Sequence, residues 1–145
     1  MAVQFHCEEV DFPVKNFQSI EEWVSQCVST EGYVLSAINV VFCSDEYLLS
    51  INIKHLNHNY FTDIITFNYN EKNQLSGDLF ISVERVRENA QKLKLNFIDE
   101  LHRVIIHGIL HLCGYKDGTD TEQLEIRAKE DFYLNLRPQN LKRST

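Results

Sequence analysis

Apolar side chains recur along the chain with two different periods, which predict strands and helices in alternation. Loose alternation or β-branched and aromatic enrichment predicts strands over 3–10, 35–44, 63–69 and 77–83. Apolar residues at helical spacing predict helices over about 19–30, 45–57, 84–94, 99–113 and 121–136. The strands at 63–69 and 77–83 are joined by a short polar turn, as in a hairpin. The pattern predicts an α+β fold, in which a small mixed four-stranded sheet is packed with about five helices.

Two helix starts are marked by capping residues. Ser44 precedes Asp45 and Glu46, so its hydroxyl is placed to cap the helix and the acidic residues favour its first turn. Thr119 and Glu122 have the spacing of a capping box before the last helix.

Length and composition are typical of one soluble domain. The chain has 145 residues, 43% of them hydrophobic, and we expect a single metallohydrolase domain over 1–145. The formal charge of −7 argues against general nucleic-acid binding, although a local basic rim around a site would suffice. The four cysteines form no C-x-x-C pair, which favours free thiols in a reducing compartment. The first residues have no signal-peptide pattern, and no apolar run approaches membrane-spanning length, so we expect a cytoplasmic protein without membrane contact.

The stretch HGILHLCGYKD, at 107–117, carries the candidate chemistry. His107 and His111 are four residues apart, so both lie on one face of a helix. Gly114 suits the left-handed conformation that ends a helix, and Asp117 follows after a reversal of the chain. Two imidazoles and one carboxylate leave a fourth position open for water, which is typical of a catalytic zinc site. The prediction is a metalloprotease-like metal site on a helix and its exit turn.

Other interpretations of this stretch remain open. Histidines at this spacing also occur by chance, with no metal. The spacing matches the long zinc-peptidase motif, but Gly108 stands where that motif has its general-base glutamate. This substitution argues against a peptidase, while a phosphodiester needs less from a protein carboxylate. For the remaining histidines, His6, His55, His58 and His102, a surface or core role is favoured.

The same stretch resembles the signature H-G-x-L-H-L-x-G-Y-D-H of the YbeY family, bacterial single-strand endoribonucleases of ribosomal RNA maturation. Two further segments are similar to family segments, LNHNYFTDIITF at 56–67 and GDLFIS at 77–82, and Glu100 fits a family glutamate. The resemblance implies one divalent metal, usually zinc, held by three residues of the signature. His107 and His111 match directly, whereas Asp117 stands where the family has a third histidine.

The departures from the family pattern bear on metal choice and on RNA binding. A carboxylate lowers the charge of the site, so we expect manganese or iron to compete better with zinc. The family arginine thought to hold RNA phosphate is absent, since Phe61 follows Tyr60 directly. Arg103 and Lys116 are the predicted substitutes for binding substrate, although a solvated surface role fits either one equally well.

Asp63 is the predicted catalytic side chain, as a proton shuttle or as an acceptor for a ligand imidazole. A carboxylate that only binds backbone at a strand start is the alternative. Tyr115 could stack on a base, or lie at the edge of the core.

The sequence thus predicts a metal-dependent endoribonuclease that acts on single-stranded ribosomal RNA and associates with ribosomal particles. Two alternatives stay open: another metallohydrolase, and a non-catalytic, metal-stabilised domain that docks on ribosomal particles.

Overall fold

The computed structural model describes residues 2–142, in which strands and helices alternate as the apolar pattern predicts. The strands are β1 (Val3–Glu8), β2 (Val34–Cys43), β3 (Ile64–Asn68) and β4 (Gln74–Ser82). The helices are α1 (Phe17–Thr30), α2 (Asp45–Leu56), α3 (Val83–Leu93), α4 (Phe97–Leu112), α5 (Asp120–Asn135) and α6 (Gln139–Lys142).

The four strands form one mixed sheet in the order β1-β2-β4-β3. β1 and β4 both pair with β2 in parallel, and β3 pairs with β4 antiparallel as a hairpin. The predicted mixed four-stranded sheet is therefore confirmed. The parallel pairs are possible because α1 connects β1 to β2, and α2 with β3 connects β2 to β4.

Local signals placed most helix ends within a few residues. The Ser44 hydroxyl accepts a hydrogen bond from the Tyr47 amide, and Thr119 and Glu122 form the predicted capping box. The main differences are β4, which begins at Gln74 because the polar turn is shorter than predicted, and the short helix α6, which was not predicted.

Helix α4 is the central element of the core, and its position determines where the candidate site lies. Ten of its sixteen residues are buried. At Gly108 the helix lies so close to the sheet that a Cβ atom would come within 2.7 Å of Ile64 Cδ1 and 2.9 Å of Leu79 Cδ2. Gly108, which stands where the zinc-peptidase motif has a glutamate, therefore allows close packing of α4 on β3 and β4.

The four cysteines are free, as predicted, and Cys27 and Cys43 are buried. Burial is the main reason that the pKa values of both thiols are raised, Cys43 to about 12. Protonated, buried thiols of this kind behave as small apolar side chains.

Candidate metal centre

Helix α4 and its exit turn are built by ordinary capping interactions. The Asn96 side chain accepts hydrogen bonds from the amides of Ile98 and Asp99, which starts the helix. Gly114 has φ +102°, and the Tyr115 amide donates to the carbonyl of Leu110. Only a residue that tolerates positive φ closes the helix this way, so the predicted role of Gly114 is confirmed. The reversal returns the chain toward the histidine face of α4.

His107, His111 and Asp117 converge on one point. Nε2 of His107 lies 2.9 Å from Nε2 of His111. Oδ2 of Asp117 lies 3.2 Å from Nε2 of His111 and 3.3 Å from Nε2 of His107. Both imidazoles are partly buried, whereas Asp117 is 47% exposed. The three ligand atoms therefore form a nearly equilateral triangle with one side open to solvent.

These separations fit a single divalent ion. Metal–ligand bonds of about 2.0–2.2 Å at tetrahedral angles hold ligand atoms about 3.3–3.6 Å apart. The observed distances of 2.9, 3.2 and 3.3 Å are only slightly shorter. A cation just above the triangle would contact all three atoms, and its remaining position would face the open side. Among the described residues, this trio is the group of histidine and acidic side chains that meets the geometry of a metal site.

Glu130 fixes the orientation of His107. Its Oε2 lies 2.6 Å from Nδ1 of His107, and the carboxylate is only 6% exposed. Burial raises the pKa of Glu130, but hydrogen bonds from His107 and Arg103 outweigh it and keep the pKa below its usual value. An ionised carboxylate only accepts, so Nδ1 of His107 carries the proton and Nε2 presents its lone pair to the triangle. This arrangement is the usual support of a metal-binding histidine.

Arg103 holds Glu130 in turn. One guanidinium nitrogen, Nη1, donates to Oε1 of Glu130 at 2.9 Å, and Nη2 donates to Asp131 at 2.8 Å. The predicted substrate-binding residue Arg103 thus lies beside the site, with both terminal nitrogens occupied by carboxylates.

We call the three atoms Nε2 of His107, Nε2 of His111 and Oδ2 of Asp117 the metal triangle. It opens into a cleft between α4 and α5 of about 310 Å³, which we call the α4–α5 cleft. Its walls include Asp63, Glu100, His107, Asp117, Ile126 and Arg127. Lys116, the other predicted substrate-binding residue, lies instead in a separate depression with Glu31, Tyr33 and Glu125. The structure therefore brings Asp63 and Arg103 to the cleft and leaves Lys116 outside it.

Asp63 lies directly before β3, and its backbone carbonyl accepts from the Ser82 amide. Burial raises the pKa of its carboxyl group, although the neighbouring His107 and nearby backbone amides oppose this shift. A carboxyl group with a raised pKa beside His107 and Asp117 is a candidate for proton exchange in this cleft.

Tyr115 lies on the far side of the exit turn and donates to Glu31 at 2.8 Å. Tyr133 and Lys129 also donate to Glu31, which ties the exit turn to α1 and α5. The phenol is held in place, so the core-edge role of Tyr115 fits better than base stacking.

Sequence reasoning missed Glu130 and Arg127, which both lie on α5. One signal was available for Glu130. It falls on the helical stripe of the apolar residues Ile126, Tyr133 and Leu134, where an acidic side chain needs a partner. The identity of that partner depends on packing between α4 and α5.

Comparisons with known proteins agree over nearly the whole chain. The family model described as Endoribonuclease YbeY matches residues 3–137. The protein named Endoribonuclease YbeY of Flavobacterium psychrophilum is 48% identical over 128 residues, 88% of this chain and 91% of its own. The protein of that name from Parabacteroides distasonis is 41% identical over 139 residues, 96% of this chain and 98% of its own.

A solved structure has the same fold. The solution structure of TM1509 from Thermotoga maritima superposes with a TM-score of 0.66 at 25% identity, and the match covers 98% of this chain and 96% of that one. Within residues 2–142, no helix is long and apolar enough to span a membrane.

Proposed function

Because this chain belongs to the Endoribonuclease YbeY family, we propose that it is a metal-dependent endoribonuclease that cleaves single-stranded RNA. Its ion is held by His107, His111 and Asp117. The observation that carries the proposal is the triangle of three ligand atoms 2.9–3.3 Å apart, open on the side of the α4–α5 cleft. When bound, a divalent ion supplies Lewis acidity toward a phosphoryl oxygen and lowers the pKa of a coordinated water.

Side chains around the ion have two tasks: they orient the histidine ligand His107, and they transfer protons. Glu130 holds the proton on Nδ1 of His107, so that Nε2 stays available to the metal. Asp63, in the same cleft, takes a proton from the attacking water and returns it to the leaving oxygen of the ribose. Arg103 stabilises Glu130 and adds positive charge beside the substrate phosphate, without donating to it directly.

Zinc is the proposed ion, with manganese and iron as competitors because of Asp117. Two imidazoles and a carboxylate leave one unit of positive charge less than three imidazoles would, so the bound water is less acidic and harder metals bind relatively better. The substitution Asp117→His should shift the preference toward zinc. Metal content after reconstitution with each ion would test this, and an unchanged preference would contradict it.

The proposed substrate is ribosomal RNA on ribosomal particles in the cytoplasm. Family membership is the support for this assignment. The cleft volume of about 310 Å³ is at the lower end for ligand pockets, which suits the unpaired nucleotides of a single strand better than a duplex.

The test is a single-turnover assay on labelled single-stranded RNA, with zinc-loaded wild type, His111→Ala and His55→Ala. His55 is an exposed histidine on α2 outside the site, so His55→Ala is the matched control. We expect cleavage by wild type and the control, and a loss of more than about 100-fold in His111→Ala, since removing a ligand exceeds the effect of an outer partner. Equal cleavage by all three would reveal a contaminating nuclease. No cleavage by metal-loaded wild type would favour the docking alternative.

A further inference from the structure

The α4–α5 cleft extends well beyond the metal triangle along helix α4. Glu100 and His107 both line it, and they are seven residues apart, which is about 10 Å along a helix axis. The distal half of the cleft is therefore separated from the metal triangle by about the length of one nucleoside. The whole cleft has a volume of about 310 Å³, which is enough for one nucleotide.

Glu100 is an unusual side chain at the distal end of this cleft. It is only 7% exposed, and its Oε1 has no hydrogen-bond partner among the described residues. A buried carboxylate oxygen without a partner is unfavourable, so a donor that a ligand brings within reach of it would be stabilised there.

Neighbouring cations do not supply that donor. Arg103 donates its terminal nitrogens to Glu130 and Asp131. Arg127 is 59% exposed, and its nearest carboxylate contact is Glu130 at 4.0 Å. Arg103 and Arg127 line the same cleft as Glu100, yet neither one donates a hydrogen bond to Glu100. A neutral N–H donor on a ligand fits this position.

The other walls match the remaining parts of a nucleotide. Val104 and Ile126 line the cleft with apolar side chains, against which the faces of a base can pack. Arg127, on α5, is 59% exposed and, within residues 2–142, donates no hydrogen bond, so its N–H groups can meet a backbone phosphate at the mouth. The cleft thus combines an apolar wall, a buried acceptor and an exposed guanidinium.

We propose that the α4–α5 cleft is a base-reading subsite that holds the nucleotide next to the scissile phosphate, with Glu100 accepting a hydrogen bond from an exocyclic amino group and Arg127 binding the adjoining phosphate. This inference rests on the proposed endoribonuclease function. Cytosine places its N4 amino group where uracil has the acceptor O4, so an ionised Glu100 attracts the first base and repels the second. The subsite therefore favours cytidine over uridine at one position beside the cut.

The first test measures mononucleotide binding to the metal-free protein, with CMP and UMP as probes in an NMR titration. This measurement does not depend on cleavage, so it stays informative if the proposed nuclease activity fails. We expect CMP to bind about tenfold more tightly than UMP, the ratio that one charge-assisted hydrogen bond supplies. Glu100→Gln should reduce the ratio to about two or less, since an amide offers both a donor and an acceptor.

The control variant is Glu88→Gln on α3, which removes the same charge from an exposed glutamate paired with Arg85 and Lys92. It should keep the wild-type ratio. Arg127→Gln should weaken CMP and UMP equally, because the phosphate is common to both. Equal binding of CMP and UMP by wild type, or tighter binding of UMP, would overturn the inference without any variant.

The second test maps cleavage of a randomised single-stranded RNA by sequencing the product ends. In wild type, uridine should be depleted about tenfold relative to cytidine at one position beside the cut, and Glu100→Gln should remove the depletion. Cleavage with no difference between these two bases would refute the subsite. Absence of cleavage would count against the nuclease function, while the titration still decides whether Glu100 reads the base.

Discussion

His102 and His107 lie five residues apart on helix α4, yet they occupy opposite environments. His102 is 1% exposed, its ring lies 5.6 Å from the ring of Trp23, and its Nδ1 accepts a hydrogen bond from Arg137 at 2.8 Å. His107 faces the α4–α5 cleft, and its Nδ1 donates to Glu130 at 2.6 Å. Burial together with the charge of Arg137 lowers the pKa of His102 to about 4. Burial also disfavours charge on His107, but Glu130 outweighs it and raises that pKa.

The charge of the partner therefore decides what each imidazole does. Burial, reinforced by the arginine at Nδ1, keeps His102 neutral and makes it a structural acceptor within the core. A carboxylate at Nδ1 increases the basicity of His107 and directs Nε2 outward as a ligand. Glu130 on α5 and Arg137 just after α5 thus make one histidine of α4 a packing residue and suit the other to bind a metal.

The largest effect should follow from removing the carboxylate partner. Glu130→Ala should lower zinc affinity by about 10–100-fold, because His107 loses the acceptor that fixes its tautomer. A chelator competition measures this affinity. Asp131→Ala is the control, since Asp131 also binds Arg103 but does not contact His107. Equal zinc affinity in wild type and Glu130→Ala would mean that Glu130 does not orient His107.

His102 should make the stability of the metal-free protein depend on pH. His102 binds a proton near pH 6.5 in the unfolded chain but only near pH 4 in the folded one, so its contribution to stability is lost as the pH falls through this window. Between pH 7 and pH 5 the wild type should lose about 2 kcal/mol more than His102→Gln, which does not titrate.

Urea unfolding at the two pH values measures that difference. Equal losses in wild type and His102→Gln would show that His102 titrates normally in the folded protein. The variant also controls for the carboxyl groups, since they titrate in both proteins.

The smallest changes in stability should come from the exposed carboxylates that pair with Arg137, the partner of His102, and with Arg103, the partner of Glu130. Asp99 binds Arg137 at 2.9 Å, and Asp131 binds Arg103 at 2.8 Å, and both carboxylates are largely exposed. Exposed ion pairs contribute about 0–1 kcal/mol, so Asp99→Ala and Asp131→Ala should each change the free energy of unfolding by less than about 1 kcal/mol. A loss above 2 kcal/mol in either variant would mean that the arginines depend on these exposed partners.

The contrast between the two histidines also marks the limit of sequence reasoning here. His107, His111, Gly114 and Asp117 lie within one helix and its exit turn, so their spacing alone predicted the triangle. Glu130 is 23 residues from His107, and its contact depends on how α5 packs on α4. The same limit applies to Arg127, which reaches the cleft only through that packing.

The sheet shows the same division between local and distant information. The β3–β4 hairpin and the caps at Ser44 and Thr119 are local features, and they were predicted. The parallel pairing of β2 with both β1 and β4 depends on helical connections that cross the sheet. The residue pattern predicted that the sheet is mixed, but not which strands are parallel. Arg103 was predicted to bind substrate because it lies one turn before His107 on the same helix face, whereas its two carboxylate partners on α5 could not be read from the sequence.

We infer that one ion is held by His107, His111 and Asp117, and that Glu130 orients His107. The decisive measurement is a crystal structure of the zinc-loaded protein with anomalous data at the zinc edge. We expect one peak bonded at about 2.0–2.2 Å to Nε2 of both histidines and to the Asp117 carboxylate, with Nδ1 of His107 donating to Glu130. A zinc peak elsewhere, or an Asp117 carboxylate beyond bonding distance of the bound ion, would contradict it.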